Sequence, residues 1–188
     1  MSIHQSTEEI KNELAIITKA KVDPNRFSAL YEKYYKQIFL FIHRRTDDED
    51  NTADLTSQVF LKAILNLPKY EYKGVPFSAW LYRIASNEVN QYFRQAKTTR
   101  AISIEEEGLS RLMGELNEEP EEQHEKEQII MESLNHLTKE EIQYLELRFF
   151  EDKSFREIGY ILLVTENNAK VRTYRIIDKI KKMIRERK

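Results

Sequence analysis

The feature that most constrains the fold of this chain is its scarcity of turn-forming residues, with only four glycines and four prolines in 188 residues. A β-rich protein needs such residues at short intervals to turn its chain between strands. Apolar residues three and four apart recur in runs that begin at Phe27, Thr52 and Phe77, and this spacing is typical of helices with one buried face. The sequence therefore predicts an all-α fold whose N-terminal part is a helical bundle.

Charge is strongly segregated along the chain, although the net charge is only −2. Glutamates dominate residues 103–127, opposed by Arg111 and Lys126, whereas residues 168–188 are rich in lysine and arginine. An acidic stretch that repels itself and contains glycine and proline is typical of a flexible linker. We therefore predict a first domain over 1–98, a mobile or transiently helical acidic linker over 99–127, and a second domain over 128–188.

Composition also excludes several classes of protein. The chain has no cysteine, which rules out disulfides and thiolate zinc sites and fits a reducing compartment. No window approaches the roughly 18 apolar residues of a membrane span, and residues 1–21 do not resemble a secretion signal. The sequence thus favours a cytoplasmic protein that is not inserted in a membrane.

Capping chemistry marks three helix starts in the second domain. Thr138 with Glu141 and Ser154 with Glu157 each form a capping box, and Thr165 is suited to be the N-cap of a third helix. A helix of about two turns from Ser154, a short turn and a basic helix from Glu166 form the pattern of a helix-turn-helix. In that motif the second helix lies in the major groove of DNA.

Helical spacing assigns two faces to this basic helix. The residues that share the predicted inner face are Ala169, Thr173, Ile176, Ile177, Ile180 and Ile184. The residues left on the outer face are Asn167, Lys170, Val171, Arg172, Tyr174 and Arg175. Lysine and arginine can donate to guanine and asparagine can pair with adenine, so this face is a candidate reader of double-stranded DNA. The alternative is a basic amphipathic helix that only keeps the protein soluble.

Aromatic residues alternate with cations between residues 69 and 100, a composition that suits single-stranded DNA because bases stack on rings while cations neutralise phosphates. Phe77 and Trp80 lie on the apolar stripe and are better explained as core residues. The candidates for an exposed binding surface are Tyr70, Tyr72 and Lys73, in the loop before that stripe.

The sequence contains no catalytic constellation and no phosphate-binding glycine loop, which favours a protein that is not an enzyme and uses no cofactor. The acidic residues at 47–50 and 54 could bind a metal, but adjacent acids without spaced oxygens do not form a calcium cage. Acids near a helix start are better explained by capping and the helix dipole.

Most of the chain resembles the extracytoplasmic-function sigma factors, the smallest members of the main bacterial sigma family. Residues 27–45 resemble the opening helix of the family's region 2, and residues 52–63 resemble its polymerase-binding segment. The most specific stretch is 77–87, Phe-Ser-Ala-Trp-Leu-Tyr-Arg-Ile-Ala-Ser-Asn, which resembles the part of region 2 that opens and reads the −10 element. Residues 137–180 resemble region 4, which binds the −35 element.

This resemblance implies roles for particular residues. Asp54, Leu55 and Gln58 would contact the coiled coil of the largest polymerase subunit. The −10 strand would be captured by Tyr70, Tyr72, Lys73, Asn87, Gln91 and Arg94, with melting driven by binding and without ATP. The outer face of the basic helix, from Asn167 to Arg175, would contact the −35 element.

The resemblance also implies the partners: core RNA polymerase, through the coiled coil and the flap, promoter DNA and, as is common in the family, an anti-sigma protein. The function that follows is promoter-specific initiation of transcription. The alternative is a regulator that uses the same helix-turn-helix without engaging polymerase. The turn of the motif usually holds glycine at positive φ, whereas Leu163 occupies this position here and would be strained in that conformation.

Overall fold

In a computed structural model of the protein, residues 7–46, 48–96, 106–116 and 130–186 are described, and they contain helices and no strands. The chain divides into two compact units, Met1–Ser103 and Ile104–Lys188. This arrangement confirms the all-α prediction and places the division inside the predicted linker.

The described part of the first unit, residues 7–46 and 48–96, contains four α-helices. They are α1 (Thr7–Val22), α2 (Ser28–Thr46), α3 (Glu49–Asn66) and α4 (Phe77–Ala96), with short 3₁₀ segments at Pro24–Phe27 and Leu67–Lys69. Helices α2, α3 and α4 pack against one another, and α1 packs on α2 and on both 3₁₀ segments. The three predicted amphipathic runs thus correspond to α2, α3 and α4, whereas α1 was not predicted.

The start of α3 is explained by its cap. Asp48 is the N-cap, and its carboxylate accepts a hydrogen bond of 2.7 Å from the backbone N–H of Asn51. Glu49 and Asp50 lie in the first turn, where the helix dipole favours acids. Capping and the helix dipole therefore account for Asp48, Glu49 and Asp50, while residue 47 lies outside the described residues.

The second unit contains helices α5 (Glu106–Leu116), α6 (described over 130–135), α7 (Lys139–Leu145), α8 (Phe155–Leu162) and α9 (Glu166–Arg185). A single π-helical turn, Glu146–Phe150, continues α7. The motif of α8 and α9 packs against α7 and this turn. Thr138, Ser154 and Thr165 are the N-caps of α7, α8 and α9, with complete capping boxes at the first two, as predicted.

Helix α5 corrects part of the predicted linker. Residues 106–116 form a helix that packs against the π-helical turn and α9. Gly108, Leu112 and Leu116 are spaced four residues apart and are buried, a short apolar stripe that the abundance of glutamate masks in the sequence. The rest of the predicted linker, 99–105 and 117–127, lies outside the described residues.

Candidate nucleic-acid interface

Helix α9 has the two faces that its sequence predicts. The hydroxyl of Thr165 accepts a hydrogen bond from the backbone N–H of Asn168, at 3.1 Å, and so fixes the first turn. All six residues of the predicted inner face are buried. The six candidates for DNA contact are all exposed: Asn167, Lys170, Val171, Arg172, Tyr174 and Arg175.

The turn between α8 and α9 adopts the left-handed conformation with leucine in place. Leu163 has φ 61° and ψ 38°, and its side chain is 69% exposed, so little packing compensates for the strain. Gly159 makes the turn possible because a Cβ there would lie 2.9 Å from the carbonyl oxygen of Val164. The N–H of Val164 in turn donates to the carbonyl of Gly159 at 2.9 Å. The backbone strain expected at Leu163 is therefore present, and the turn adopts the positive φ that glycine usually provides in this motif.

The outer face of α9 contains cations in two different states. Arg172 is ion-paired to Glu140 of α7 and donates to the Tyr144 hydroxyl at 3.4 Å, and the charge and hydrogen bond of Tyr144 raise its pKa above the ordinary arginine value. Among the described residues, no ion pair reaches Lys170 or Arg175. Lys170 and Arg175 are therefore available to bind an external anion, whereas Arg172 is already paired within the protein.

Two further contacts orient α9. The ring centroid of Tyr174 lies 5.9 Å from that of Phe155 in α8, and 39% of Tyr174 remains exposed. Lys179 donates to both carboxylate oxygens of Glu141, at 2.9 and 3.0 Å. Burial pushes the pKa of Glu141 upward, but hydrogen bonds from Thr138 and Lys179 outweigh it, so the pKa lies below its ordinary value.

On α4, the polar residues predicted for the −10 strand are together on one exposed face. Asn87, Gln91 and Arg94 are exposed at a spacing of four and three residues, while the opposite face buries Leu81, Ala85, Val89 and Phe93. Asn90 is also exposed beside them and was not predicted. The neighbouring Ser86 is buried, and its hydroxyl has no hydrogen-bond partner among the described residues.

The loop before α4 corrects one prediction. Tyr70 was expected to be exposed, but only 6% of it is accessible, because its ring packs 5.1 Å from Phe77 and 5.0 Å from Trp80. Phe77 is buried and Trp80 is half-buried, as the core interpretation predicts. Tyr72, at 43% accessible, and Lys73 are exposed at the tip of the loop.

The lysine at the tip of this loop is paired with a carboxylate of the same loop. Lys73 is ion-paired to Glu71, and the hydrogen bond and charge of Lys73 lower the pKa of that carboxyl. Gly74 follows with φ 75°, a conformation that glycine adopts without strain. The loop therefore presents one ring and one cation beside the polar face of α4.

Helix α3 has an exposed face that the sequence analysis identified in part. Asp54 and Gln58 are exposed, but Leu55, the third predicted polymerase contact, is 5% accessible and belongs to the core. Leu61 and Leu65 are instead exposed on the same side as Asp54, at 57% and 67%. We call Asp54, Gln58, Leu61 and Leu65 the α3 face. The two leucines could have been found in the sequence, since they fall off the buried stripe of α3.

The family Sigma-70 region 2 matches residues 30–99, which include all of α3 and α4. None of the described helices is both long enough and apolar enough to cross a lipid bilayer.

Curated relatives are sigma factors. The ECF RNA polymerase sigma factor BldN of Streptomyces coelicolor is 24% identical over 171 residues, 86% of this chain and 61% of BldN, so this chain spans less than two thirds of that relative. The Bacillus subtilis ECF RNA polymerase sigma factor SigM is 22% identical, over 81% of this chain and 91% of SigM. The RNA polymerase sigma factor YlaC of Bacillus subtilis is 29% identical, over 71% and 77%.

A solved structure of the RsbN–BldN complex is similar to this chain at 20% identity and a TM-score of 0.39, covering 89% of this chain and 98% of the other.

Proposed function

We propose that the chain is a sigma factor of the sigma-70 family, in its extracytoplasmic-function group, and that it binds core RNA polymerase and directs it to promoters. It reads the −10 element with its first unit and the −35 element with its second. The observation that carries the proposal is the presence, on one chain, of two exposed polar faces suited to DNA, one on α4 and one on α9.

At the −10 element, the first unit captures one strand of the duplex. Tyr72 provides a ring on which a base can stack, Lys73 and Arg94 provide charge for phosphates, and Asn87 and Gln91 provide groups that can read base edges. Unstacking a base costs a few kcal/mol, and binding of the extruded base offsets that cost. Melting therefore needs no ATP and no catalytic residue of this chain.

At the −35 element, α9 enters the major groove. Lys170 and Arg175 donate to guanine or to phosphates, Asn167 is suited to adenine, and Val171 and Tyr174 add apolar contact. Arg172 has a different role because Glu140 and Tyr144 already hold its guanidinium. We assign Arg172 to orienting α9 and to phosphate contact.

The α3 face binds the coiled coil of the largest polymerase subunit. Interfaces gain most of their affinity from a few apolar or aromatic residues surrounded by polar ones. Leu61 and Leu65, with Asp54 and Gln58 beside them, have this composition. The flap of the polymerase is the corresponding partner of the second unit.

An anti-sigma protein that covers the α3 face would block this contact, which makes such a protein the expected regulatory partner. Because polymerase and chromosome share the bacterial cytoplasm, the protein acts there. The chain itself is not an enzyme in this proposal, since the polymerase supplies the chemistry.

The proposal is tested by transcription with purified core polymerase on a library of genomic fragments, with and without the protein. Discrete new transcripts whose upstream sequences share −35 and −10 elements are the expected result. If the protein binds DNA yet yields no new transcript, the polymerase-independent regulator is the better account.

A further inference from the structure

Helix α1 contacts both ends of the loop that carries Tyr72. The side chain of Lys21 donates a hydrogen bond of 2.5 Å to the carbonyl oxygen of Tyr70, the residue just before the loop. The carboxylate of Glu13 accepts a hydrogen bond of 3.3 Å from the backbone N–H of Phe77, the residue just after it. One helix therefore fixes the entry and the exit of residues 71–76.

The contact at Phe77 replaces a missing helix cap. Pro76 precedes α4 and has no side-chain oxygen, so it cannot satisfy the free N–H groups of the first turn. The carboxylate of Glu13 meets one of them and also places negative charge at the positive end of the helix dipole.

Glu13 is itself held firmly. It is 4% accessible, and its other oxygen accepts from the Nζ of Lys33 at 2.6 Å and from the Tyr34 hydroxyl, both on α2. A buried carboxylate that is paired and hydrogen-bonded in this way has little freedom to move. Glu13 thus joins three helices at the start of α4.

Packing of the Tyr70 ring reinforces the hydrogen bond between Lys21 and the Tyr70 carbonyl. The Tyr70 ring is wedged against Phe77 and Trp80, and the Lys21 ammonium lies 6.0 Å from the centre of that ring. Val75 is buried as well, so only the tip at 71–74 projects from the unit. The tip is therefore short and anchored on both sides.

We propose that Glu13 and Lys21 are positioning residues for capture of the −10 strand, an inference that rests on the proposed function. They hold the loop in its binding geometry before DNA arrives, so the strand does not have to order the loop. Preorganisation of this kind raises affinity because the ordering cost is met on folding.

Trp80 offers a first test that does not depend on DNA or polymerase. It is the only tryptophan of the chain and lies against Tyr70, so its quenching by acrylamide reports opening of the loop. In the free full-length protein, Lys21→Met should raise the quenching constant about twofold through local opening. The control Lys19→Met, an exposed lysine on the same helix, should leave it unchanged.

The second test is capture of a fork-junction DNA with a single-stranded −10 element by polymerase holoenzyme. Lys21→Met and Glu13→Gln should weaken capture about tenfold, because the strand must then meet the cost of ordering the loop. Both variants should match the wild type in affinity for core polymerase and in binding of −35 duplex. The control Lys19→Met should match the wild type in these two measurements and in capture of the fork. Lys21→Met is the primary variant because Lys21 is only half-buried and its loss leaves the Glu13 network intact.

Unchanged quenching in Lys21→Met would overturn the positioning role, as would increased quenching with normal capture. If wild-type holoenzyme fails to capture the fork, the proposed function is wrong, and the quenching result still decides whether α1 holds the loop.

Discussion

The two candidate DNA-reading surfaces are built in different ways. On α9, the orientation of the outer face follows from contacts close in sequence: the Thr165 cap, the buried stripe and the tight approach of Gly159 to Val164. At the −10 loop, orientation depends on residues far away in sequence, Glu13 with Phe77 and Lys21 with Tyr70.

This difference has a consequence for robustness. A local motif is damaged mainly by changes to its own turn, whereas a surface assembled from distant segments is damaged by changes in any of them. The second unit adds two longer-range ion pairs, Arg172 with Glu140 and Lys179 with Glu141, but both are exposed and so contribute little to stability.

The largest expected effect is on the free energy of unfolding, and it distinguishes two leucines of α3, one buried and one exposed. Leu55→Ala empties a buried site and should lower the free energy of unfolding by about 3 kcal/mol. Leu61→Ala removes an exposed side chain, so it should leave stability unchanged and weaken core polymerase binding by about 1.5 kcal/mol. Denaturant unfolding and a polymerase titration measure the two quantities. A stable Leu55→Ala protein with weakened polymerase binding would restore Leu55 as a contact.

Gly159→Ala tests the local construction of the second unit. The added Cβ would collide with the backbone of the turn, and we expect a loss of about 2 kcal/mol in stability from overpacking. Gly114→Ala is the control, because a Cβ there meets nothing within 4 Å on an exposed part of α5. It should be stabilising by about 0.5–1 kcal/mol through helix propensity. Equal thermal shifts in the two variants would refute the tight turn.

Lys170→Ala and Arg175→Ala test the outer face of α9 itself. Each should weaken binding to −35 duplex by about 1.5 kcal/mol, roughly tenfold, without a change in melting temperature. Lys182→Ala, near the far end of the same helix, is the control for loss of charge alone. The comparison is measured by fluorescence anisotropy at fixed salt, and an equal loss in all three variants would mean that α9 contributes only general electrostatics.

Leu163→Gly should stabilise the second unit by about 0.5–1 kcal/mol. It removes the strain of a left-handed leucine, and the greater freedom of glycine in the unfolded chain offsets part of the gain. Leu163→Ala is the matched control, since it shortens the exposed side chain but keeps the strained conformation. Calorimetry on both proteins separates the backbone effect from the loss of the side chain.

The smallest expected effect is a pH dependence at Glu141. Its pKa in the folded protein lies below the ordinary value of 4.5, so its contribution to stability is present above that value and is lost as the pH falls through the folded pKa. Acid unfolding of Glu141→Gln should therefore show a shallower loss of stability below about pH 4.5 than the wild type. Superimposable acid profiles would contradict the assignment.

The sequence predicts the outer face of α9 better than the −10 loop, and the reason is physical. Caps and apolar periodicity decide which face of a helix is buried, so the outer face of α9 and the three capped starts could be identified in advance. The polar face of α4, with Asn87, Gln91 and Arg94, was indicated only by the resemblance to sigma factors. The exposure of Tyr70 could not, because it depends on Phe77, Trp80 and α1, a helix that the predictions did not include. Leu55 was misassigned because resemblance indicates a segment and not which of its residues point outward.

The same reasoning explains the two remaining differences. Helix α5 lies in an acidic stretch whose stripe of Gly108, Leu112 and Leu116 is short, and its burial depends on a partner, the π-helical turn, that local propensity does not reveal. At Leu163 local propensity disfavours the observed left-handed conformation, and the surrounding fold imposes it.

In the proposed function, the two units read two elements of one promoter for one polymerase. The most direct measurement is transcription from a responsive promoter as the distance between its −35 and −10 elements is changed by about 5 base pairs, half a helical turn. Holoenzyme containing this protein should lose transcription on the altered promoter, while the isolated −35 duplex should still be bound. Undiminished transcription at every spacing would contradict the proposed function.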